Sequence, residues 1–177
     1  MVTNNSDSDC STTKGKSTFH FRKPVSEDGY FIHQLINQCP PLDTNSAYCN
    51  FLQTTHFRDT CIAAEDENGD IAGFISAYLV PSSPDTLFIW QVAIAEPARG
   101  NGLASKMVAK LLEREETNAV TRVETTITKN NDASWALFRK LDRQNGNRGE
   151  TSVFLDKETH FQDKHDTEYL YRIPVDA

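Results

Sequence analysis

The stretch Val92-Ala93-Ile94-Ala95-Glu96-Pro97-Ala98-Arg99-Gly100-Asn101-Gly102-Leu103-Ala104 runs from apolar residues into a proline, an arginine and two glycines, and an amphipathic pattern begins at once. This order predicts a strand, a tight turn and the first turn of a helix. Backbone N–H groups left unpaired in a first helical turn form an anion site, strengthened by the helix dipole, so the chemistry on offer is capture of a phosphate or pyrophosphate. Glycine at 100 and 102 lets the backbone approach such an anion without an intervening Cβ. Two glycines in a turn also simply end strands, so the turn by itself leaves both readings open.

The flanks narrow the choice. Leu87-Phe88-Ile89-Trp90-Gln91-Val92-Ala93-Ile94 is nearly all apolar, as expected of a central strand buried on both faces. After the turn, Leu103, Met107 and Leu111 recur every four residues beside Ala104, Val108 and Leu112, which makes one apolar helix face.

Upstream, residues Met1 to about Ser17 are rich in Ser, Thr, Asn and Asp and predict a disordered tail, leaving 18–177 as a single domain. A short strand is expected near Thr18–Arg22 and a helix near Glu27–Gln38, closed by Cys39-Pro40-Pro41. Asp43-Thr44-Asn45 offers caps for a second helix, in which Tyr48, Phe51, Leu52 and Thr55 fall at helical spacing. Thr60–Glu65 and Asp70–Val80 read as a hairpin around Asn68-Gly69, and Pro81-Ser82-Ser83-Pro84-Asp85 breaks the chain before the central strand. Beyond the Leu103 helix come a strand at Arg122–Thr128, a helix from Asp132 to about Leu141, a loop at 144–149, and strands at Ser152–Leu155 and Glu168–Ile173. In the last strand, Tyr169, Tyr171 and Ile173 share one face, and Glu168, Leu170 and Arg172 share the other. The predicted order is strand, two helices, three strands, helix, strand, helix, two strands.

Composition excludes several classes. A formal net charge of −7 speaks against a non-specific grip on nucleic acid. No apolar run approaches membrane-spanning length, and the first residues lack a signal-peptide plan, so the expected location is the cytoplasm. Cys10, Cys39, Cys49 and Cys61 show no paired metal spacing and read as reduced thiols, so no metal is expected.

Arg99 to Ala104 has the form Arg-x-x-Gly-x-Ala, and with the element order it resembles the GNAT-type N-acetyltransferases. The resemblance covers about Thr18 to Ile173 and implies an α/β fold with a central mixed, mostly antiparallel sheet flanked by helices. It also implies acetyl-CoA as co-substrate, with its pyrophosphate at Arg99, Gly100, Asn101, Gly102, Leu103 and Ala104. Backbone groups of Val92, Ala93 and Ile94 would hold the pantetheine, and a bulge or splay of that strand would free N–H groups to polarise the thioester carbonyl. Asn131, with Ser134 three residues on, matches a second contact to the CoA arm, although an Asn there also caps a helix. Many such enzymes place a tyrosine near the end of this segment as general acid, where this chain has Phe138. A thiol of ordinary pKa near 8.5 leaves as thiolate at modest cost, so a dedicated acid is dispensable.

Pro40–Cys49, Phe88–Ile94 and His165-Asp166-Thr167-Glu168-Tyr169 together are similar to the L-2,4-diaminobutyrate acetyltransferases of ectoine biosynthesis. That similarity implies acetylation of the γ-amine of a small diamino acid by direct attack through a tetrahedral intermediate, and a homodimer as partner state. An amine of lysine-like pKa near 10.4 must lose a proton to attack, which near pH 7 costs roughly 4 to 5 kcal/mol. Glu168 and Asp43 are the carboxylates that the similarity places at this nitrogen; their local readings are an outward-facing strand Glu and a helix cap. Tyr48 and Trp90 would line the substrate pocket, against a competing reading of each as a core aromatic. His165 joins the substrate set for its closeness to Glu168. A broader diamine or polyamine acetyltransferase and a catalytically silent acyl-CoA sensor remain the alternatives.

Overall fold

The computed structural model describes residues 18–176. The predicted tail at 1–17, with Cys10, lies outside the described residues.

A seven-stranded sheet has the order β1-β2-β3-β4-β5-β7-β6. The strands are β1 (His20–Arg22), β2 (Ile62–Glu65), β3 (Ile71–Val80), β4 (Ser83–Ile94), β5 (Arg122–Thr128), β6 (Glu150–Leu155) and β7 (Glu168–Pro174). The helices are α1 (Gly29–Asn37), α2 (Ala47–Thr55), α3 (Leu103–Leu112) and α4 (Asp132–Gln144). The chain follows the order its hydrophobic periods predict, and every strand pair is antiparallel except β4 with β5. A parallel pair needs a crossover, and α3 supplies it.

Each sheet face has its own cover. Leu103, Met107, Val108 and Leu111 of α3 are buried against Ile75, Leu87, Ile89 and Val123. On the opposite face Ile32, Leu35 and Ile36 of α1 pack on Phe74 and Ala93.

Three local expectations are corrected. Ser46, not Asp43-Thr44-Asn45, caps α2, its side chain accepting from the Cys49 N–H at 3.3 Å. Ser46 has the extended backbone (φ −62°, ψ 148°) that a cap requires, and the Asp43 side chain is thereby left free. The break before the central strand shrinks to Pro81-Ser82, because β4 already pairs with β3 at Ser83. Pro84 is tolerated there because the β5 pairing begins only at Thr86. Helix α2 turns its polar side inward: Asn50, Gln53 and Thr54 are buried, while Tyr48 is 71% exposed. The inversion is stabilised by a chain of partners, His33 Nδ1 donating to Asn50 Oδ1 at 3.2 Å and Asn50 Nδ2 to Gln53 Oε1 at 3.0 Å.

The sheet edge is tied by Arg22. Its guanidinium makes a two-pronged contact with Asp28, at 2.6 and 2.9 Å, and donates Nε to Glu65 at 2.7 Å. Burial pushes the Asp28 carboxyl up, but Arg22 and the Val25 N–H more than cancel this and hold it below its usual value. Arg22 likewise holds Glu65 low. Carboxylates with lowered folded pKa stabilise the protein above their unfolded pKa near 4, and that stability is lost as pH falls further. Arg22→Met strands a buried charge and is expected to lose about 2–3 kcal/mol at pH 7 by urea unfolding. The deficit relative to the parent should shrink below pH 4; a deficit independent of pH would contradict the ion-pair account.

Candidate active site

Two irregularities open the sheet beside β4. The β3–β4 register runs Ser76↔Gln91 and then Ala77↔Ile89, so Trp90 is the extra residue of a bulge. The β4–β5 pairing ends at Ile89↔Thr125, and beyond it the two strands diverge. The Ala95 N–H donates to Ala72 O at 2.9 Å, so by the alternation of an antiparallel ladder Ala93 bonds to β3, and Val92 and Ile94 turn their N–H and C=O groups into the gap. The Ile94 carbonyl accordingly accepts from Arg99 Nε at 3.0 Å and from Cys39 Sγ at 3.4 Å. Ala93 is corrected by the same geometry: its peptide groups face β3 and its fully buried side chain faces α1, so it does not line the gap.

A cleft of about 260 Å³ at this gap gathers Val92, Ile94, Arg99, Ala104, Asn131 and Ser134, with Pro40–Leu42 on its rim. A second depression shares Ile94, Arg99 and Ala104 and continues over Gly100, Gly102 and Leu103. One groove therefore runs from the gap to the N-terminus of α3.

That N-terminus has the build of an anion cradle. Gly102 is the cap in left-handed backbone (φ 68°), Gly100 precedes it at φ 79°, and an added Cβ at either would meet nothing within 4 Å. Their purpose is conformational, because an L side chain disfavours that backbone region. The first intrahelical bond runs from Lys106 N–H to Gly102 O, so the N–H groups of Leu103, Ala104 and Ser105 lack partners within the helix. Asn101 turns its amide back onto Ala98 O and Arg99 O, and Arg99 spends its guanidinium on Ile94 O and Cys39 Sγ, so main-chain donors dominate the cradle.

Asn131 caps α4, its Oδ1 accepting from the Ser134 N–H at 3.1 Å, and both residues still line the cleft. Trp135 Nε1 donates to Thr128 O at 3.2 Å and pins the β5–α4 junction. Phe138 is 2% exposed and packs in the core below α4, away from the cleft. Its lack of a hydroxyl therefore carries no information on the acid. Phe138→Tyr should leave turnover unchanged while costing about 1–3 kcal/mol for a buried unpaired hydroxyl; a raised kcat would place position 138 in the site after all.

The other mouth of the gap holds ionisable groups from distant parts of the chain. His165 Nε2 lies 3.5 Å from Asp43 Oδ2 and 3.9 Å from Glu168 Oε1. The His165 Nδ1 faces the Asp166 carbonyl at 2.7 Å, which can only accept, so Nδ1 carries a proton and Nε2 is the nitrogen turned to the carboxylates. Burial pushes the Glu168 carboxyl above its ordinary value, with the Asp43 charge adding to the rise and His165 and Thr126 opposing it. Trp90 is 41% exposed and borders an apolar hollow with Tyr78, Leu52 and Phe57, so neither it nor Tyr48 is a core aromatic.

Of the described thiols, Cys39 lines the cleft and directs its Sγ to the Ile94 carbonyl at 3.4 Å. Cys61 is fully buried and its thiol is pushed up to about 12 by burial, and burial also raises Cys49. Among the described residues, no group of three or more His, Cys, Asp or Glu is placed to hold a metal ion, and no helix is long and apolar enough to cross a membrane.

Gln91 was not among the residues that sequence reasoning selected. It is 4% exposed, and its Nε2 donates to the Asp43 carbonyl at 2.8 Å. The available signal was a single polar residue inside the apolar run Leu87–Ile94.

A strand gap, a glycine-built helix N-terminus and a cap at Asn131 define a class, and comparison with known proteins agrees. The Acetyltransferase (GNAT) family profile matches residues 29–142, and the chain belongs to this family. Within it, the chain is 61% identical over 155 residues to the L-2,4-diaminobutyric acid acetyltransferase of Vibrio parahaemolyticus, covering 88% of this chain and 85% of that protein. The enzyme of the same name from Vibrio cholerae is 56% identical over 157 residues, covering 89% and 90%. The solved diaminobutyrate acetyltransferase EctA of Paenibacillus lautus, in complex with its substrate L-2,4-diaminobutyric acid and coenzyme A, superposes with a TM-score of 0.85 at 36% identity, covering 89% of this chain and 95% of that one. The chain therefore belongs to the diaminobutyrate acetyltransferases.

Proposed function

We propose that the protein transfers the acetyl group of acetyl-CoA to the γ-amine of L-2,4-diaminobutyrate, giving N4-acetyl-L-2,4-diaminobutyrate and CoA, a step of ectoine biosynthesis. The observation that carries the reading is the gap between β4 and β5, with a phosphate cradle along one side and the Asp43–His165–Glu168 cluster at the other mouth. The thioester, when bound, supplies an activated acyl carbon, and the chain supplies the rest.

The first-turn N–H groups of Leu103 to Ser105 hold the pyrophosphate, and Asn131 and Ser134 flank the arm. The off-ladder N–H groups of Val92 and Ile94 are fixed donors for the thioester oxygen, and they need no reorganisation as negative charge develops there. The half-buried Glu168 carboxylate takes the ammonium proton, directly or through water, and the Nε2 of His165 lies within reach to pass it on. Asp43 adds negative charge that favours a cationic acceptor. Tyr48 and Trp90 wall the methylene chain. Among the described thiols Cys49 and Cys61 are raised by burial and Cys39 Sγ is turned to the Ile94 carbonyl, which favours direct attack over an acyl-enzyme.

We place the reaction in the cytoplasm, in a single domain spanning 18–177 and working without a metal. A second copy of the chain is taken to cover the aromatic side chains Tyr30 and Phe31, which stand exposed on α1. Sedimentation at micromolar concentration tests the dimer. Steady-state assays with acetyl-CoA and a panel of amines test the reaction: diaminobutyrate should be the best acceptor, with acetylation at N4 by NMR. Turnover confined to polyamines, or CoA binding without turnover on any amine, would overturn it.

A further inference from the structure

We propose that Gln91 is a specificity-determining residue of this reaction, its side-chain carbonyl accepting a hydrogen bond from the α-ammonium of the diamino acid. The inference rests on the acceptor assigned above and adds a residue to it.

Gln91 sits beside the bulge of β4, on the strand that supplies the thioester donors, one residue before Val92. Its backbone N–H points toward β3 and donates to Ser76 Oγ at 3.2 Å. Its side-chain Nε2 holds the Asp43 carbonyl at 2.8 Å, 48 residues away in the chain. A carbonyl can only accept, so the orientation of the amide is fixed: Nε2 faces the Asp43 loop, and Oε1 is the free end of the same planar group. Oε1 is a buried side-chain atom that no hydrogen-bond donor among the described residues reaches. Buried acceptors left unmatched are costly, and each one in a native fold calls for a partner or a role.

The chemistry of an amide selects the ligand group. The γ-nitrogen must shed its proton before attack, which calls for a charged, basic acceptor, and Glu168 and His165 provide this at the gap. An amide oxygen is neutral and too weak a base to take a proton, yet it is a strong acceptor. It therefore suits a group that stays an ammonium throughout the reaction, as the α-amine does. A neutral acceptor also adds no further charge beside Asp43, whose own charge already pushes the Glu168 carboxyl up. By holding the Asp43 main chain with one end of the amide and the α-ammonium with the other, Gln91 sets the distance between the anchored and reacting ends of the acceptor.

The test compares L-2,4-diaminobutyrate with 4-aminobutyrate, which keeps the carboxylate and the reacting amine but lacks the α-amine. In the wild-type enzyme kcat/KM should favour diaminobutyrate. Gln91→Met should cut that preference by about ten- to a hundredfold, the loss falling on diaminobutyrate, with the KM for acetyl-CoA unchanged. Gln91→Met also gives up the bond to the Asp43 carbonyl, so its kcat/KM on 4-aminobutyrate is read beside it and should fall far less than that on diaminobutyrate. A merely structural role would slow both acceptors alike, so an unchanged ratio in Gln91→Met overturns the proposal while leaving the reaction standing. Failure of the wild-type enzyme to acetylate diaminobutyrate would instead remove the reaction on which the proposal rests.

Discussion

Replacing Glu168 with glutamine is expected to lower kcat on diaminobutyrate by about a hundred- to a thousandfold, the span of a lost general base, while the dissociation constant of acetyl-CoA stays unchanged. Glu168 pairs with Thr128 at the start of β7, on the same sheet face as Leu170 and Arg172, and the cofactor groove lies on the α3 side. The two functions therefore separate in space. Burial is the largest cause of the raised Glu168 pKa, so the carboxylate form is reached only above the ordinary Glu range. Activity should accordingly rise with pH through that elevated pKa, and the acid limb should disappear in Glu168→Gln. Stability follows the opposite sign. A carboxyl whose folded pKa is raised favours the folded state at low pH and loses that contribution as pH rises through the folded pKa. The uncharged variant should thus be at least as stable as the parent at pH 7, a trade of stability for activity. Wild-type kinetics in Glu168→Gln would remove this residue from the site, and a large fall in melting temperature would contradict the burial account.

Gly102→Val should weaken acetyl-CoA binding by about ten- to a hundredfold while costing the fold only about 1–2 kcal/mol, or a few degrees of melting temperature. No atom lies within 4 Å of an added Cβ at this position, so crowding of the protein itself is not the cause. The cost comes from the left-handed backbone at φ 68°, which a β-branched residue relieves by rotating the peptide groups at the start of α3. Those are the groups proposed to hold the pyrophosphate, and misdirecting two or three charge-assisted hydrogen bonds is worth more in binding than in folding. Gly102→Asn, which tolerates the left-handed region, should recover most of the affinity. Isothermal titration with acetyl-CoA and thermal melting of the three proteins separate the effects. An unchanged dissociation constant in the valine variant would count against the anion cradle.

The cradle was legible because it is local. Pro97, Gly100 and Gly102 and the apolar period of Leu103, Met107 and Leu111 lie within one stretch of chain, and each follows a rule of turn chemistry or helix spacing. The element order was legible for the same reason, and so were the faces of β7, with Tyr171 and Ile173 on the α3 side and Glu168 on the other. The acceptor site was legible only by similarity of its motifs. Asp43, Gln91, His165 and Glu168 are scattered over 126 positions from first to last, and nothing in their spacing links them.

What the sequence alone determined, then, is a glycine turn with the build of an anion cradle at the head of a buried-faced helix, set behind a central apolar strand. What only the tertiary structure decided is how that strand opens. The bulge at Trp90 and the end of the β4–β5 pairing at Ile89 depend on register against two other strands, and register is a property of packed pairs rather than of one segment. The inward polar face of α2 has the same origin, since Asn50 and Gln53 can be buried only once His33 and their neighbours satisfy them. Gln91 joins both lessons: a polar residue in an apolar strand is visible in the sequence, but its partner at Asp43 and its unmatched oxygen exist only in the fold.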